Sequence, residues 1–522
     1  MTFNYKNVVA GVGAAALLGL SSLGLTSCNK DFIDLNDPTR LPTTEGYTDS
    51  LSIVTGVTAA YASLQDIYGK AAANNRGIYV FGEIPSDNSF ALTSGERLNE
   101  FNDFSLLSDN PRLQSQWLVT YRSIARCNII LSRAGAIPMR EASRNRFYAE
   151  VRFIRALAYF NAVRIWGAVP LVTGEIASIS DAYQFGRTPV EQVYAQIEQD
   201  LRFAEDNLPV TQTDANLGRA TKGAAQGLLG KVYLTQKKYA EAATKLQQVI
   251  GANTYALQAT YANIFATNNE MNSEILFAVR YTKGGLGLGS GFTSWFMPAY
   301  TAAQTMALIG ASFTGQQFNV VDTDLVNAFT ASGTTDVRAA TSFVRPANPT
   351  ATTQYYTRKY IDTPTSATDA ENDWIVLRYA DVLLMYAEAV NAQGAPTPAA
   401  LDAVNRVIRR SRNLPVATPN ATVDLPAATT QEVLRDRVEL ERRLELNFEG
   451  HRWFDLVRTE RPSTDPTEPS TNRAIQVMNA FFARTAVAGT APIKITANNL
   501  LFPIPLQEIQ TNPALTQNPG YN

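Results

Sequence analysis

Residues 223–254 read GAAQGLLGKVYLTQKKYAEAATKLQQVIGANT, and this stretch determines the architecture of the chain. Its first half places Leu229 among small residues, and its second half carries apolar residues at Ala242, Leu246 and Val249. Spacings of three and four residues predict two amphipathic helices joined by a short turn. Because one such hairpin cannot bury its apolar face alone, we expect further helix pairs stacked beside it.

The order of small and large residues in this hairpin fits the tetratricopeptide pattern. Gly230 falls where the two helices touch, and Tyr233 falls where a larger residue fills the groove to the next repeat. A second, poorer helical hairpin is predicted at 376–412, with its turn at Gly394. Helix-pair repeats of this kind form scaffolds and commonly bind a protein partner.

Helical periodicity continues along most of the chain. Helices are predicted at about 49–68, 112–134, 141–166, 188–207, 219–236, 238–250, 376–393, 397–412 and 430–458. The strand candidates are 274–281 and 355–361, and between them lies a long stretch, about 280–375, rich in Gly, Thr and Asn. The predicted fold class is mainly α, a tetratricopeptide-like helical scaffold with long irregular loops and a few short strands.

The composition excludes several classes of protein. The 522 residues include 45 Lys and Arg against 47 Asp and Glu, and this balance, without a charged tail, argues against nucleic acid as a partner. His451, Cys28 and Cys127 cannot supply a histidine-rich zinc site or a disulfide framework. We therefore expect no metal and no cofactor, and we expect Cys127 to be a buried residue.

The N-terminus predicts a lipoprotein. Residues 1–27 form the expected signal peptide, in which Val8 to Leu25 is an apolar run of small residues. The tetrapeptide LTSC, ending at Cys28, resembles the bacterial lipobox, so Cys28 is the predicted lipidation site. Several acyl chains on one residue anchor a protein stably, and Asn29 at the following position points to the outer membrane. Residues 28–48 are the predicted tether.

One pair of carboxylates raises the question of catalysis. Glu445 and Glu449 lie four residues apart, the spacing at which two side chains share one face of a helix. A surface glycosidase would use such a pair as acid and nucleophile. The favoured interpretation is an ion network with Arg442, Arg443 and Arg452. His451 is likewise expected to be a packed core histidine, so no catalytic residue is predicted.

Aromatic residues in two predicted loops, 79–103 and 281–305, suggest sugar binding. Pyranose rings stack on flat aromatic faces while their hydroxyl groups bond to polar side chains. The candidate ligand-binding residues are Tyr79, Asn88, Phe90, Arg97, Phe292, Trp295 and Tyr300. Trp295 offers the largest face beside a run of glycines, whereas Trp453 is assigned to the core. The alternative is that each ring simply packs its loop onto the core.

Several motifs, taken in order, resemble the SusD/RagB family. They are the lipobox, the tetratricopeptide segment, EVRFIRALAYFNAVRIWGAVPLV (150–172), DWIVLRYADVLLMYAEAVN (373–391), ERRLELNFEGHRWFDLVR (441–458) and LFPIPLQEIQTNPALTQNPGYN (501–522). The similarity covers essentially the whole mature chain. It implies an N-terminal part at 49–270 and a C-terminal part at 271–522 within one globular unit.

The resemblance also implies a function. Members of the family are surface-exposed outer-membrane lipoproteins that bind glycans, or peptides in some branches, and lie as a lid on a SusC-type TonB-dependent transporter. We therefore expect a non-catalytic protein that binds an extracellular oligosaccharide and delivers it to that transporter. A peptide-binding member of the family and a surface glycosidase are the alternatives. The matching motifs belong to the scaffold, so no ligand-binding residue is carried over from the family.

Overall fold

The computed structural model describes residues 46–70, 75–92, 95–333, 335–345, 355–462 and 470–521. The predicted signal peptide, the lipidation site Cys28 and all but the last three residues of the predicted tether lie outside the described residues.

Helices make up most of the described structure. They are α1 (Ser50–Tyr68), α2 (Tyr79–Gly82), α3 (Asn99–Asn102), α4 (Pro111–Arg133), α5 (Glu141–Trp166), α6 (Ile179–Ala182), α7 (Val190–Asn207), α8 (Lys222–Thr235), α9 (Tyr239–Gly251), α10 (Phe292–Phe296), α11 (Ala302–Ile309), α12 (Thr323–Ser332), α13 (Ala339–Ser342), α14 (Tyr379–Ala392), α15 (Pro398–Ser411), α16 (Gln431–Glu445), α17 (Arg452–Arg458), α18 (Arg473–Thr485) and α19 (Leu506–Thr511). Single turns of 3₁₀ helix occur at Asp214–Asn216, Ala262–Ile264, Thr267–Asn269 and Ala497–Asn499.

The strands are short and pair two by two. They are β1 (Ser89–Phe90), β2 (Ile275–Val279), β3 (Val320–Val321), β4 (Trp374–Arg378), β5 (Glu460–Pro462) and β6 (Ser470–Asn472). The pairs are antiparallel: β1 with β3, β2 with β4, and β5 with β6. In the longest pair Ile275 lies opposite Arg378 and Val279 lies opposite Trp374. This architecture confirms the predicted mainly helical fold class.

The helices form a row in which each packs against its neighbour. The contacts run from α1 through α4, α5, α7, α8 and α9 to α14, which packs on α15 and α16. The predicted hairpin is α8 and α9, and a Cβ at Gly230 would lie only 2.7 Å from Cγ of Leu246. A side chain at Gly230 would therefore push the two helices apart, which is the packing reason for the small residue there.

Local sequence sets the ends of the scaffold helices. The backbone N–H of Ser52 donates to Asp49 Oδ1 at 2.7 Å and caps α1. Asn110 caps α4 in the same way, and Pro111 at the first helical position needs no hydrogen-bond partner for its nitrogen. At the C-terminus of α5, Gly167 ends the helix with a φ of 73°, a conformation that favours glycine.

Three sequence predictions of secondary structure are wrong in whole or in part. The single helix expected at 430–458 is two helices, because Phe448 and Gly450 adopt φ values of 63° and 75° in the turn between α16 and α17. The strand expected at 355–361 is reduced to isolated bridges at Tyr355 and Tyr356. The partner of β2 is instead β4, whose residues 376–378 belonged to a predicted helix. The other strand prediction, 274–281, is confirmed by β2.

One continuous hydrophobic cluster takes residues from both halves of the chain, from Ile53 to Leu515. Trp453 and Cys127 lie within it, fully buried, as predicted. Burial raises the pKa of the Cys127 thiol to about 12, so this cysteine stays protonated and unreactive at neutral pH. Among the described helices, none combines the length and the apolar character that crossing a membrane requires.

Candidate functional site

The structure brings three of the predicted aromatic residues together, but it buries them. The ring of Phe292 lies 5.8 Å from that of Trp295, and the ring of Tyr79 lies 4.8 Å from that of Phe296. Trp295 is only 2% exposed. The prediction that these rings lie in open loops is wrong, because Tyr79 begins the one-turn helix α2 and 292–296 forms the one-turn helix α10. All three rings are buried, and that of Phe292 packs against Trp374.

The remaining predicted residues are dispersed. Asn88 is buried, where its amide donates to Glu83 and accepts a bond from Arg443. Phe90 is half-buried in β1, opposite Val320. Arg97 is partly exposed and binds Glu100 and Asp109. Tyr300 packs in a separate small cluster with Met297, Ala311, Phe313 and Tyr356. These four residues do not form a site with the three that meet in the core.

A polar surface lies directly above the buried rings. We call it the Arg76 surface and define it by Arg76, Glu96, Trp295, Gln316 and Phe318. The Arg76 guanidinium lies over two rings, with its carbon 5.1 Å from the centre of the Trp295 ring and 5.0 Å from that of Phe318. Such cation–π contacts fix the plane of the guanidinium group. Trp295 therefore supports a polar residue and does not itself face solvent.

The charges of this surface are paired but accessible. Arg76 Nη2 donates to Glu96 Oε2 at 3.0 Å, and Arg112 Nη2 lies 3.4 Å from the same oxygen. The Arg76 side chain is 14% exposed and the Glu96 side chain is 28% exposed. Guanidinium donors and carboxylate acceptors therefore stand side by side where a ligand can reach them.

Backbone hydrogen bonds hold the surface in place. The N–H of Phe318 donates to the carbonyl oxygen of Trp295 at 2.7 Å, and that of Gln316 donates to Ser294 at 2.9 Å. The N–H of Leu92 donates to the carbonyl of Gln317 at 3.2 Å, which joins the first predicted loop region to the segment that carries Gln316 and Phe318. The site is consequently built on a fixed framework, as precise ligand recognition requires.

This arrangement suits a neutral, hydroxyl-rich ligand. Sugar hydroxyl groups both donate and accept, so they can bond simultaneously to Arg76 and to Glu96. Arg76, Glu96 and Phe318 were missed at the sequence level, because none stands in a periodic pattern. The sequence offered one indication of the site: Arg76 lies three residues before Tyr79, next to the first aromatic region, 79–103.

The paired carboxylates belong to a buried ion cluster. We define this cluster as Glu274, Arg338, Lys359, Arg378, Arg410, Glu445 and Glu449, all of them fully or almost fully buried. Arg378 Nε donates to Glu449 Oε2 at 2.7 Å, and Arg378 also bonds to Glu445 and Glu274. Burial alone would raise the pKa of Glu449, but Arg378 and Lys359 hold it below its usual value.

The ion network was therefore predicted correctly in kind but with the wrong partners. Arg442 bonds to Asp381 and Asp455, while Arg443 and Arg452 both bond to Asp87. The reason is the turn between α16 and α17, which removes Glu449 from the helix that carries Glu445. Both carboxylates are sealed from solvent, so no substrate can reach them.

The only histidine is also buried, as predicted. Its Nδ1 lies 3.1 Å from Nζ of Lys231. Burial, together with the charge of Lys231, lowers the pKa of His451 to about 3, so the imidazole is neutral at physiological pH. Within the described ranges, no three His, Cys, Asp or Glu side chains gather in a way that could hold a metal ion.

The sequence is similar to two protein-family models and to several known proteins. Residues 261–521 match the model of the SusD family, and residues 31–234 match a model described as starch-binding, associating with outer membrane. The chain is 26% identical to the SusD-like protein P38 of Formosa agariphila, with 99% of each chain covered. It is 26% identical to the starch-binding protein SusD of Bacteroides thetaiotaomicron, over 51% of this chain and 50% of that protein.

The structure is also similar to solved ones. It matches the structure of a laminarin binding SusD-like protein with a TM-score of 0.72 and 27% sequence identity. That match covers 91% of this chain and 100% of the other. The similarity therefore extends over the helical scaffold and the loop-rich part alike.

Proposed function

The chain belongs to the SusD family, and from this premise we propose that it binds an oligosaccharide at the Arg76 surface without chemical turnover. It then delivers the bound oligosaccharide to a SusC-type TonB-dependent transporter. Acyl chains on Cys28 hold the protein at the outer membrane, with the globular part facing the medium.

The geometry of the Arg76 surface carries this proposal. A guanidinium group fixed over two rings and a carboxylate 3.0 Å away offer donors and acceptors at one partly exposed position. Such a pair is suited to vicinal hydroxyl groups. The burial of Glu445 and Glu449 supports binding without hydrolysis, because a glycosidase must bring both carboxyl groups to the scissile bond.

The names of relatives indicate the class of ligand. One relative is named for binding laminarin and another for binding starch, and both of these ligands are glucans. We therefore expect glucan oligosaccharides to be the first ligands worth testing. Peptides are the alternative class in this family.

A ligand screen tests the binding proposal. The soluble protein lacking residues 1–28 is titrated calorimetrically with laminarin and starch oligosaccharides and other plant and algal glycans, and the mixtures are assayed for new reducing ends. We expect saturable binding of at least one glycan with no new reducing ends. Binding of peptides and of no glycan would overturn the ligand class, and the release of reducing ends would overturn the non-catalytic role.

The anchor is tested separately. Cys28→Ala should leave the fold unchanged and release the protein from the outer-membrane fraction, because the acyl chains attach to that residue. The measurement is fractionation of cells that lack the transporter, followed by immunoblotting. If the variant still fractionates with outer membranes, the lipoprotein proposal fails.

The transporter is tested by affinity purification of the tagged protein from solubilised outer membranes of its own organism. We expect a TonB-dependent transporter to be retained in near-equal amount. If the tagged protein is present in the membrane but purifies without any such transporter, the delivery step is contradicted.

A further inference from the structure

A polar groove of about 700 Å³ lies between the first three turns of α4 and the short helix α19. Two hydrogen bonds join its walls. The N–H of Leu506 donates to the carbonyl oxygen of Ser108 at 2.9 Å, and Gln114 Nε2 donates to Glu508 Oε1 at 2.6 Å. The groove is therefore preformed, and its volume falls in the range of ligand pockets.

The lining of the groove is polar but carries little charge. Of the described residues that line it, one is acidic, Asp109, and one is basic, Arg122. Asp109 is paired, since Arg97 Nη2 donates to its Oδ1 at 2.8 Å. The other lining residues are serines, residues with side-chain amides, leucines, a valine and a proline. A lining of this composition favours a neutral ligand over a charged one.

Three glutamine side chains supply hydrogen-bonding groups to the groove. Gln507 and Gln510 of α19 are exposed, and each amide can donate and accept at once. Gln114 uses its Nε2 on Glu508, while its Oε1 has no hydrogen-bond partner among the described residues. Leu118, 47% exposed, adds an apolar contact. Sugars suit this combination, because their hydroxyl groups bond to amides and their C–H faces pack on apolar side chains.

The groove adjoins the Arg76 surface. Ser115, which lines the groove, donates to Oδ1 of Asn75, the neighbour of Arg76, at 3.4 Å. About one turn earlier on α4, Arg112 Nη2 lies 3.4 Å from Glu96 Oε2. Successive turns of α4 therefore border the two surfaces, and a ligand that extends from one can reach the other.

The groove is also long enough for more than one sugar unit. It follows α4 from Pro111 to Arg122, a helical rise of about 17 Å. This length exceeds that of a single sugar ring several times. The groove therefore suits a chain of sugar units better than a monosaccharide.

We propose that this groove extends the glycan site, so that the part of a neutral oligosaccharide beyond the Arg76 surface binds to Gln114, Gln507 and Gln510. This inference rests on the proposed function, because it takes the Arg76 surface as the first part of the site. It assigns the protein to long, uncharged glycan chains. Selectivity for length follows, since only a chain that spans both surfaces makes both sets of contacts.

The dependence of affinity on chain length tests this extension. Laminari- and malto-oligosaccharides, from disaccharide to octasaccharide, are titrated calorimetrically into the soluble protein and into its double variant Gln507→Ala, Gln510→Ala. Because two hydrogen bonds to the ligand are lost, we expect the variant to bind the longest chains about ten-fold more weakly. Its affinity for the shortest chains that bind measurably, and its unfolding midpoint, should not change.

The matched control is the double variant Gln192→Ala, Gln199→Ala, which removes two exposed glutamine side chains of α7 and should leave every affinity unchanged. Affinity that does not rise with chain length in the unmodified protein would overturn the extension. Unchanged binding of long chains by Gln507→Ala, Gln510→Ala, or equal weakening of short and long chains, would overturn it too. Each of these results leaves glycan binding itself intact.

Binding of neither glucan series at any length would also overturn the extension. The ligand screen then decides whether the proposed function falls with it, because that function requires only that some glycan binds.

Hydrogen exchange gives an independent readout of where the chain lies. At saturation, the longest chain should slow exchange of the backbone amides of 506–511 several-fold, whereas the shortest bound chain should slow exchange only near the Arg76 surface. Unchanged exchange at 506–511 with the longest chain bound would contradict the proposal.

Discussion

The Arg76 surface and the buried ion cluster use the same chemistry in opposite settings. Each has arginine and glutamate side chains in contact and a cation over aromatic rings: Arg76 over Trp295 in the first, Arg410 over Tyr261 in the second. The difference is access to solvent. Arg76 and Glu96 are partly exposed, whereas Arg378 and Glu445 are sealed.

Burial decides what each set of charges can do. In the ion cluster every charged group is paired with another group inside the protein. These ion pairs connect β4, α15 and the turn after α16. At the Arg76 surface the rings fix the guanidinium while leaving polar groups open to a ligand. The first is a structural element and the second is the proposed binding site, although the residue types are alike.

The largest effect is expected in the ion cluster. Arg378→Ala leaves Glu274, Glu445 and Glu449 without their shared partner, and breaking a buried pair typically costs about 3–5 kcal/mol. Urea unfolding of the variant, or its soluble yield if it does not fold, measures the loss. Arg378→Lys should recover part of the stability. An unfolding free energy like that of the unmodified protein would show that the cluster is not structural.

Trp295→Ala separates the two interpretations of this residue. The structure predicts a loss of about 3–5 kcal/mol in unfolding free energy, as for other buried aromatic residues, because the ring is 2% exposed. Trp453→Ala, fully buried, is the control and should cost a similar amount. If Trp295→Ala leaves stability unchanged and only weakens ligand binding, the ring faces the ligand as the sequence first suggested.

The pH dependence of stability tests the burial of His451. Its pKa is about 3 when folded, below the ordinary value of 6.5, so the unfolded chain binds the extra proton between these two pH values. The unfolding free energy should therefore fall as the pH falls from 6.5 toward 3. In His451→Asn this part of the slope should be missing when the two proteins are compared by urea unfolding. If the unfolding free energies of the two proteins depend on pH in the same way, the burial of a neutral His451 is contradicted.

The smallest effect is expected at Arg97. Its ion pairs with Glu100 and Asp109 lie at the surface, and such pairs contribute less than about 1 kcal/mol. Arg97→Ala should leave both the unfolding midpoint and glycan affinity nearly unchanged. A clear loss of affinity, measured by calorimetry, would extend the binding site to this residue.

The scaffold was predictable from the sequence because repeated spacings encode it. The pair α8 and α9, Gly230 at their contact and the core position of Trp453 all followed from local pattern. The break between α16 and α17 did not, because Phe448 is a non-glycine residue with a positive φ that tertiary contacts hold in place.

The site was less predictable because it depends on contacts between distant segments. Arg76 meets Trp295 and Phe318 across more than two hundred residues of sequence. The aromatic residues singled out near Tyr79 and near Trp295 do meet in the structure. Sequence alone could not tell a ring that faces a sugar from one that supports an arginine.

The most direct test of this account is the glycan affinity of Arg76→Lys. The variant keeps the positive charge but loses the planar group that lies over the two rings. A hydrogen bond from a charged donor contributes about 1.5–3 kcal/mol, so we expect affinity to fall roughly 10-fold or more.

The titration uses the best glycan ligand from the screen. Arg202→Lys, another arginine paired with a glutamate but on α7, is the control. The account predicts weaker binding for Arg76→Lys alone, with unfolding midpoints alike in all three proteins. Equal affinity in the unmodified protein and in Arg76→Lys, with both folded, would contradict the assignment of the binding site to the Arg76 surface.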